Sequence, residues 1–145
     1  EILHRSIGKG PLSGITSGAL MTVLVQSSST TTSLVVPLVG SGILKAKDIY
    51  PFTLGANVGT CITALIAALG VVGVNAGFAL QIAIVHLLYN VIGVTLIYGL
   101  PMLRNIPLDL SYRLSVMVAD TKLYGVAYIG GLFFCMPLGI IFASV

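Results

Sequence analysis

Residues 25–34 read VQSSSTTTSL. From Gln26 to Ser33 every side chain carries an amide or a hydroxyl, yet LMTVL precedes the stretch and VVPLVG follows it. No charged residue occurs between Lys9 and Lys45. An uncharged run of about 35 residues makes a helix of about 52 Å, against a hydrocarbon core of about 30 Å. One straight span is too long, and it leaves the polar octad facing lipid. Two short helices meeting at the octad remove both difficulties, so residues 10–44 read as a re-entrant hairpin. The first helix is expected over 11–26 and the second over about 30–42. Such a tip is tolerated at membrane depth only when it is buried in protein or lines an aqueous cavity. Gly10, Gly14 and Gly18 recur every fourth residue, a stripe that lets another helix approach closely.

The rest of the chain is of the same kind. It is 57% hydrophobic and 8% charged, with a mean hydropathy of +1.08, whereas soluble domains carry roughly a quarter charged residues. There is no charge between Asp48 and Arg104, and none after Lys122. Uncharged apolar runs of this length read as transmembrane helices. The formal charge of +3 comes from scattered Lys and Arg beside the apolar runs. Orientation in a bilayer asks for that pattern and nucleic-acid binding does not. The first ten residues hold no apolar signal-peptide core, and the chain reads as a fragment of a larger protein. Cys61 and Cys135 fall in predicted spans, where reduced packing thiols are expected. His4 and His86 stand isolated, so no metal-ligand spacing exists, and no cofactor is expected.

Residues 49–70 contain PFTLGANVGTCITALIAALG, interrupted by Gly55, Asn57 and Gly59, which predicts a broken transmembrane helix. A span over 76–100 carries His86 and Asn90 one turn apart, read as an interhelical hydrogen-bonding pair. Two prolines in PMLRNIPL end it. Residues 108–122 place Leu110, Leu114, Met117 and Val118 at helical spacing with Asp109 four before Arg113, as in an amphipathic helix lying in the interface. Residues 123–145 form the last span. The expected fold is thus an all-α membrane protein built as a single transmembrane repeat unit. With the hairpin returning to its own side, Arg5, Lys9, Lys45, Lys47, Arg104, Arg113 and Lys122 share one membrane face. A full span at 10–44 would split them two against five.

Chemistry points away from catalysis. There is no G-x-S-x-G elbow, P-loop or paired carboxylate, and all four acidic residues lie outside the apolar runs. A hydroxyl-rich tip beside a half-helix N-terminus instead suits an anion, through free N–H groups and the helix dipole. The same hydroxyl and amide oxygens suit a small hard cation. Broken helices with such ends mark the binding sites of secondary transporters. Thr53, Asn57, Thr60 and Thr63 form a second polar cluster, equally readable as a packing motif.

VQSSS at the tip, then YPFTLGANVGTCITALIAAL, then LQIAIVHLLYNVIG resembles the type II sodium-dependent phosphate cotransporter family, in its second, C-terminal half. The likeness runs from about Gly18 into the final span. It implies one half of an inverted-repeat transporter, multi-pass in a plasma or bacterial inner membrane, with the other repeat and the lipid bilayer as partners. Phosphate and sodium are the implied ligands, with sodium as the coupling ion. The resemblance implies Gln26, Ser27, Asn57, Thr60 and Thr63 around sodium, and Ser28, Ser29 and Thr30 facing phosphate. Ala56 stands where animal members commonly have Ser, and the family's intramembrane Asp belongs to the other half. The spans hold no Arg or Lys to neutralise a phosphate dianion, so its burial depends on sodium and helix dipoles. A membrane interaction or regulatory protein that keeps the fold without transport is the alternative.

Overall fold

A computed structural model describes residues 10–144, and it is helical throughout, with no strand among the described residues. Arg5, Lys9 and the final residue of the last span lie outside them. The chain divides into two compact units, one ending at Arg104 and one beginning at Asn105.

The first unit begins with α1 (Pro11–Val25) and α2 (Ser28–Gly40). Pro11 at the first helical position suits a site with no N–H partner to lose. Then follow α3 (Ala46–Leu69) and α4 (Ala76–Gly99), with a single turn, α5 (Pro101–Arg104), after them. The break between α1 and α2 falls inside the polar octad, at Gln26 and Ser27.

Helix direction follows from which residues meet. A Cβ on Gly14 would lie 2.9 Å from Pro51 Cβ, and one on Gly59 would lie 2.6 Å from the Ala19 carbonyl oxygen and 2.7 Å from Thr22 Cβ. One on Gly18 would run into the Phe52 carbonyl oxygen, and one on Gly55 into that of Ile15. Residue numbers rise together on the two helices, so α1 and α3 are parallel and α2 must run back between them. Around Phe52 all three helices close: Val35, Leu44 and Phe52 are buried, with Met21, Leu38, Val39 and Ile49 packed on them. Gly14 and Gly18 thus act as the small-residue stripe expected of them. Gly10 does not, since nothing lies within 4 Å of where its Cβ would be.

The expected break in residues 49–70 does not occur, because α3 is one continuous helix of 24 residues. Its glycines weaken the helix by roughly 1 kcal/mol each relative to alanine. They sit, however, where α1 approaches too closely for any side chain, and the helix continues through them. α4 returns antiparallel to α3: Cys61 Sγ donates to the His86 carbonyl oxygen at 3.6 Å, and Tyr50 stacks near Tyr98 at 6.0 Å. Lys45, Lys47 and Arg104 therefore gather at one end of this unit. Asn90 corrects a second expectation. Its amide donates to the His86 backbone oxygen of its own helix, at 3.0 Å, and not to another described helix. Outside Ala83, α4 has no buried side chain, and Phe78, Ile82 and Val85 lie bare on its surface.

The second unit holds α6 (Ile106–Asp120), then α7 (Lys122–Ile129), a π-helical segment at Gly130–Cys135, and α8 (Met136–Ala143). The amphipathic helix begins two residues before the predicted boundary, with Pro107 in its first turn. Asp109 and Arg113 form no ion pair, nor do any other described residues, as befits exposed side chains whose pairing gains little. Gly125 lets α7 fold close to α6, with Val118 only 3.2 Å from its missing Cβ. The last span is apolar and continuous from Lys122 to Ala143 but widens ahead of Pro137, whose ring cannot follow a regular α-turn. α3, α4 and this final helix are each long and apolar enough to cross a membrane.

Candidate functional site

At the tip, two helix ends meet back to back. α1 closes on Gln26, a non-glycine residue held in the left-handed region at φ 60°, whose N–H caps the Thr22 carbonyl at 2.7 Å. The next residue, Ser27, is already the N-cap of α2: its backbone is extended and its Oγ accepts from the Thr30 N–H at 3.2 Å. The negative end of one helix dipole and the positive end of another thus lie one residue apart. The strained φ at Gln26 is what turns the chain sharply enough to bring them there.

Much of the octad's polarity is spent locally. Gln26 Nε2 donates to the Val23 carbonyl oxygen at 2.6 Å, and Thr30 Oγ1 donates to Ser27 Oγ at 3.0 Å. Thr31 and Thr32 donate to the carbonyls of Ser27 and Ser28, each at 2.8 Å. These bonds stay within the two helices and need no partner from elsewhere. Ser28, Ser29 and Ser33 are different, since their hydroxyls bond to no described residue. Ser28 and Ser29 occupy the first turn of α2, where their own N–H groups have no intrahelical acceptor.

Across from the tip, Thr60 Oγ1 donates to the Ala56 carbonyl at 3.1 Å and Thr63 Oγ1 to the Thr60 carbonyl at 2.8 Å. Because α3 is unbroken, no carbonyls are freed at Gly55 and Gly59. The oxygens on offer are hydroxyls, each with lone pairs to spare. The α1–α3 register sets Thr22 opposite Gly59. One turn further on both helices, Gln26 comes level with Thr63. Thr53 donates to the Tyr50 carbonyl near the other end of the helix, away from this group. Asn57 lies off the glycine face and is exposed; its backbone carbonyl accepts from Cys61 Sγ at 3.3 Å, and its side-chain amide bonds to no described residue. Two threonines are wholly inaccessible: Thr31, within the octad, and Thr22, which the sequence did not single out. The spacing of Thr22, four before Gln26, was the available signal.

These features define a class: a multi-pass helical membrane protein whose polar groups converge where two short helices abut. The model of the Na+/Pi-cotransporter family matches residues 1–108. The chain belongs to that family. It is 39% identical over 123 residues to sodium-dependent phosphate transport protein 2B of Bos taurus, covering 85% of this chain and 18% of the relative. To protein 2C of Rattus norvegicus it is 39% identical over 132 residues, 89% of this chain and 22% of the relative. Protein 2A of Oryctolagus cuniculus is also 39% identical, over 83% of this chain and 18% of its own length. The chain therefore spans about a fifth of the curated relatives it matches, which are transport proteins and not enzymes. No solved structure matches it significantly.

Proposed function

We propose that this chain is one inverted-repeat half of a transporter that couples phosphate movement to sodium across a plasma or bacterial inner membrane. The observation that carries the reading is the Gln26–Ser27 junction, where a helix C-terminus and a helix N-terminus abut beside unpartnered Ser28 and Ser29 hydroxyls. α1 has 15 residues and α2 has 13. At 1.5 Å per residue each reaches only about 20 Å, short of the roughly 30 Å core. Their length, together with the parallel run of α1 and α3, supports a re-entrant hairpin whose tip sits at membrane depth.

Phosphate then lies over the first turn of α2, taking hydrogen bonds from the hydroxyls and N–H groups of Ser28 and Ser29, and from the Thr30 hydroxyl once it turns away from Ser27 Oγ. Sodium lies on the α1 side, among oxygens of Gln26, Ser27, Thr60 and Thr63, drawn by the C-terminal dipole of α1. Asn57, facing away from α1, serves at the contact with the other repeat. With no cationic side chain at the tip, a buried dianion needs the cation beside it. Each ligand raises the affinity of the other, and that mutual dependence is the coupling. Radiolabelled phosphate uptake by the full-length protein in liposomes tests the reading. Uptake is expected with an inward sodium gradient and is lost when choline replaces sodium. Equal uptake in both overturns the sodium coupling, and uptake no higher than in protein-free liposomes returns the chain to a non-transporting membrane protein.

A further inference from the structure

Thr22 is fully buried, and its hydroxyl has no hydrogen-bond partner. Other threonines inside the described helices behave differently. Thr16, Thr31, Thr32, Thr53, Thr60, Thr63 and Thr95 each donate to a carbonyl three or four residues back, and Thr30 donates to Ser27 Oγ. The same bond is open to Thr22, toward the carbonyl of Gly18, and is not made. Back-bonding is the default for a helical hydroxyl in an apolar setting. A buried hydroxyl that forgoes it is disfavoured unless something else engages it.

The surroundings restrict what that something is. Thr22 stands on the face of α1 that packs against α3, opposite Gly59, where no side chain projects. Thr60 follows Gly59 in sequence, and Thr63 lies one turn further along the same face. Gln26 is one turn beyond Thr22 on α1. Lys45, Lys47 and Arg104 are at the opposite end of the unit, so no side-chain cation among the described residues of this unit serves this spot. The side chains that follow in register on the two helices offer neutral oxygens, at the C-terminal, electronegative end of α1. Such a set takes a small hard cation and rejects an anion.

We infer that Thr22 Oγ1 is a further sodium ligand, extending the proposed site one turn deeper between α1 and α3. The inference rests on the sodium site proposed for Gln26, Ser27, Thr60 and Thr63. It also gives Gly59 a second purpose: beyond close packing, its missing side chain leaves the Thr22 hydroxyl access to the ion. An ion held this way ties α1 to α3, so sodium should stabilise the fold as well as support transport.

The test is thermal unfolding of the purified full-length protein against sodium chloride, with choline chloride holding ionic strength constant. Thr22→Val keeps the shape and removes the hydroxyl, Thr22→Ser keeps the hydroxyl, and Gln26→Ala is the reference loss. Without sodium, Thr22→Val should melt no lower than wild type, because it replaces an unpaired buried hydroxyl with a methyl. With sodium, its half-saturating concentration should rise about ten-fold, the loss expected for one ligand oxygen on a charged group. Thr22→Ser should remain close to wild type. If Gln26→Ala weakens the sodium response while Thr22→Val leaves it intact, Thr22 only packs helices and the inference fails alone. If sodium stabilises neither wild type nor any variant, the sodium site itself is wrong and the inference falls with it.

Discussion

Replacing Gly55 with alanine sets helix propensity against helix packing. In an isolated helix the change stabilises by roughly 1 kcal/mol. Here the new methyl would meet the backbone of Ile15, with the carbonyl carbon at 2.6 Å and Cα at 2.7 Å. No rotamer change relieves a contact with backbone, so α1 and α3 must separate by about 1 Å to restore ordinary van der Waals spacing. Overpacking of this kind costs up to about 3 kcal/mol, leaving a net loss of about 2 kcal/mol after the propensity gain. The separation also loosens the seam that holds Thr22 against Gly59, next to the proposed sodium ligands. Stability and sodium affinity should therefore fall together. Gly77→Ala is the control, since its Cβ would meet nothing within 4 Å and only the propensity gain remains. Melting curves of the full-length protein in detergent, taken with and without sodium, separate the two. A Gly55→Ala variant as stable as wild type would refute the parallel α1–α3 packing.

Other expectations are more local. Ser28→Ala and Ser29→Ala should each weaken phosphate binding about ten- to a hundred-fold, a loss of roughly 1.5–3 kcal/mol for a hydrogen bond to a charged group. Unchanged phosphate affinity in both, measured by equilibrium binding, would remove the triplet from the site. Gln26→Gly relieves a left-handed strain of roughly 1–2 kcal/mol but deletes an amide oxygen. Its sodium-free melting temperature should hold or rise while its apparent sodium affinity falls, and a fall in both would make Gln26 purely structural. Cysteines placed at Lys47 and Asp109 should react with an impermeant thiol reagent from the same side of the membrane. Labelling from opposite sides contradicts the proposed topology.

The sequence carried the helix positions well, because they are set by composition: long uncharged apolar runs can do little else in a bilayer. The turn inside 26–33 was legible for the same reason, eight polar groups having no place on a straight lipid-facing helix. What it concealed was tertiary. Gly55 and Gly59 look like helix breakers when only local propensity is considered, and they prove to be contact points once α1 lies on them. Asn90 and His86 look like an interhelical pair, although an asparagine four residues after a carbonyl can satisfy itself within its own helix. Thr22 was invisible because one threonine among leucines and valines is ordinary, and only burial together with an unpaired hydroxyl distinguishes it.

The proposed dependence of phosphate on sodium, argued from a tip whose described residues hold no cationic side chain, is tested most directly by binding, with transport set aside. Phosphate affinity of the purified full-length protein should be measured at saturating sodium and again with choline in its place. Sodium affinity should be measured with and without phosphate. The two ratios should agree, and phosphate binding should become too weak to detect when sodium is absent. Phosphate binding of equal strength in sodium and in choline would show that some other group neutralises the anion, and would contradict the coupling described here.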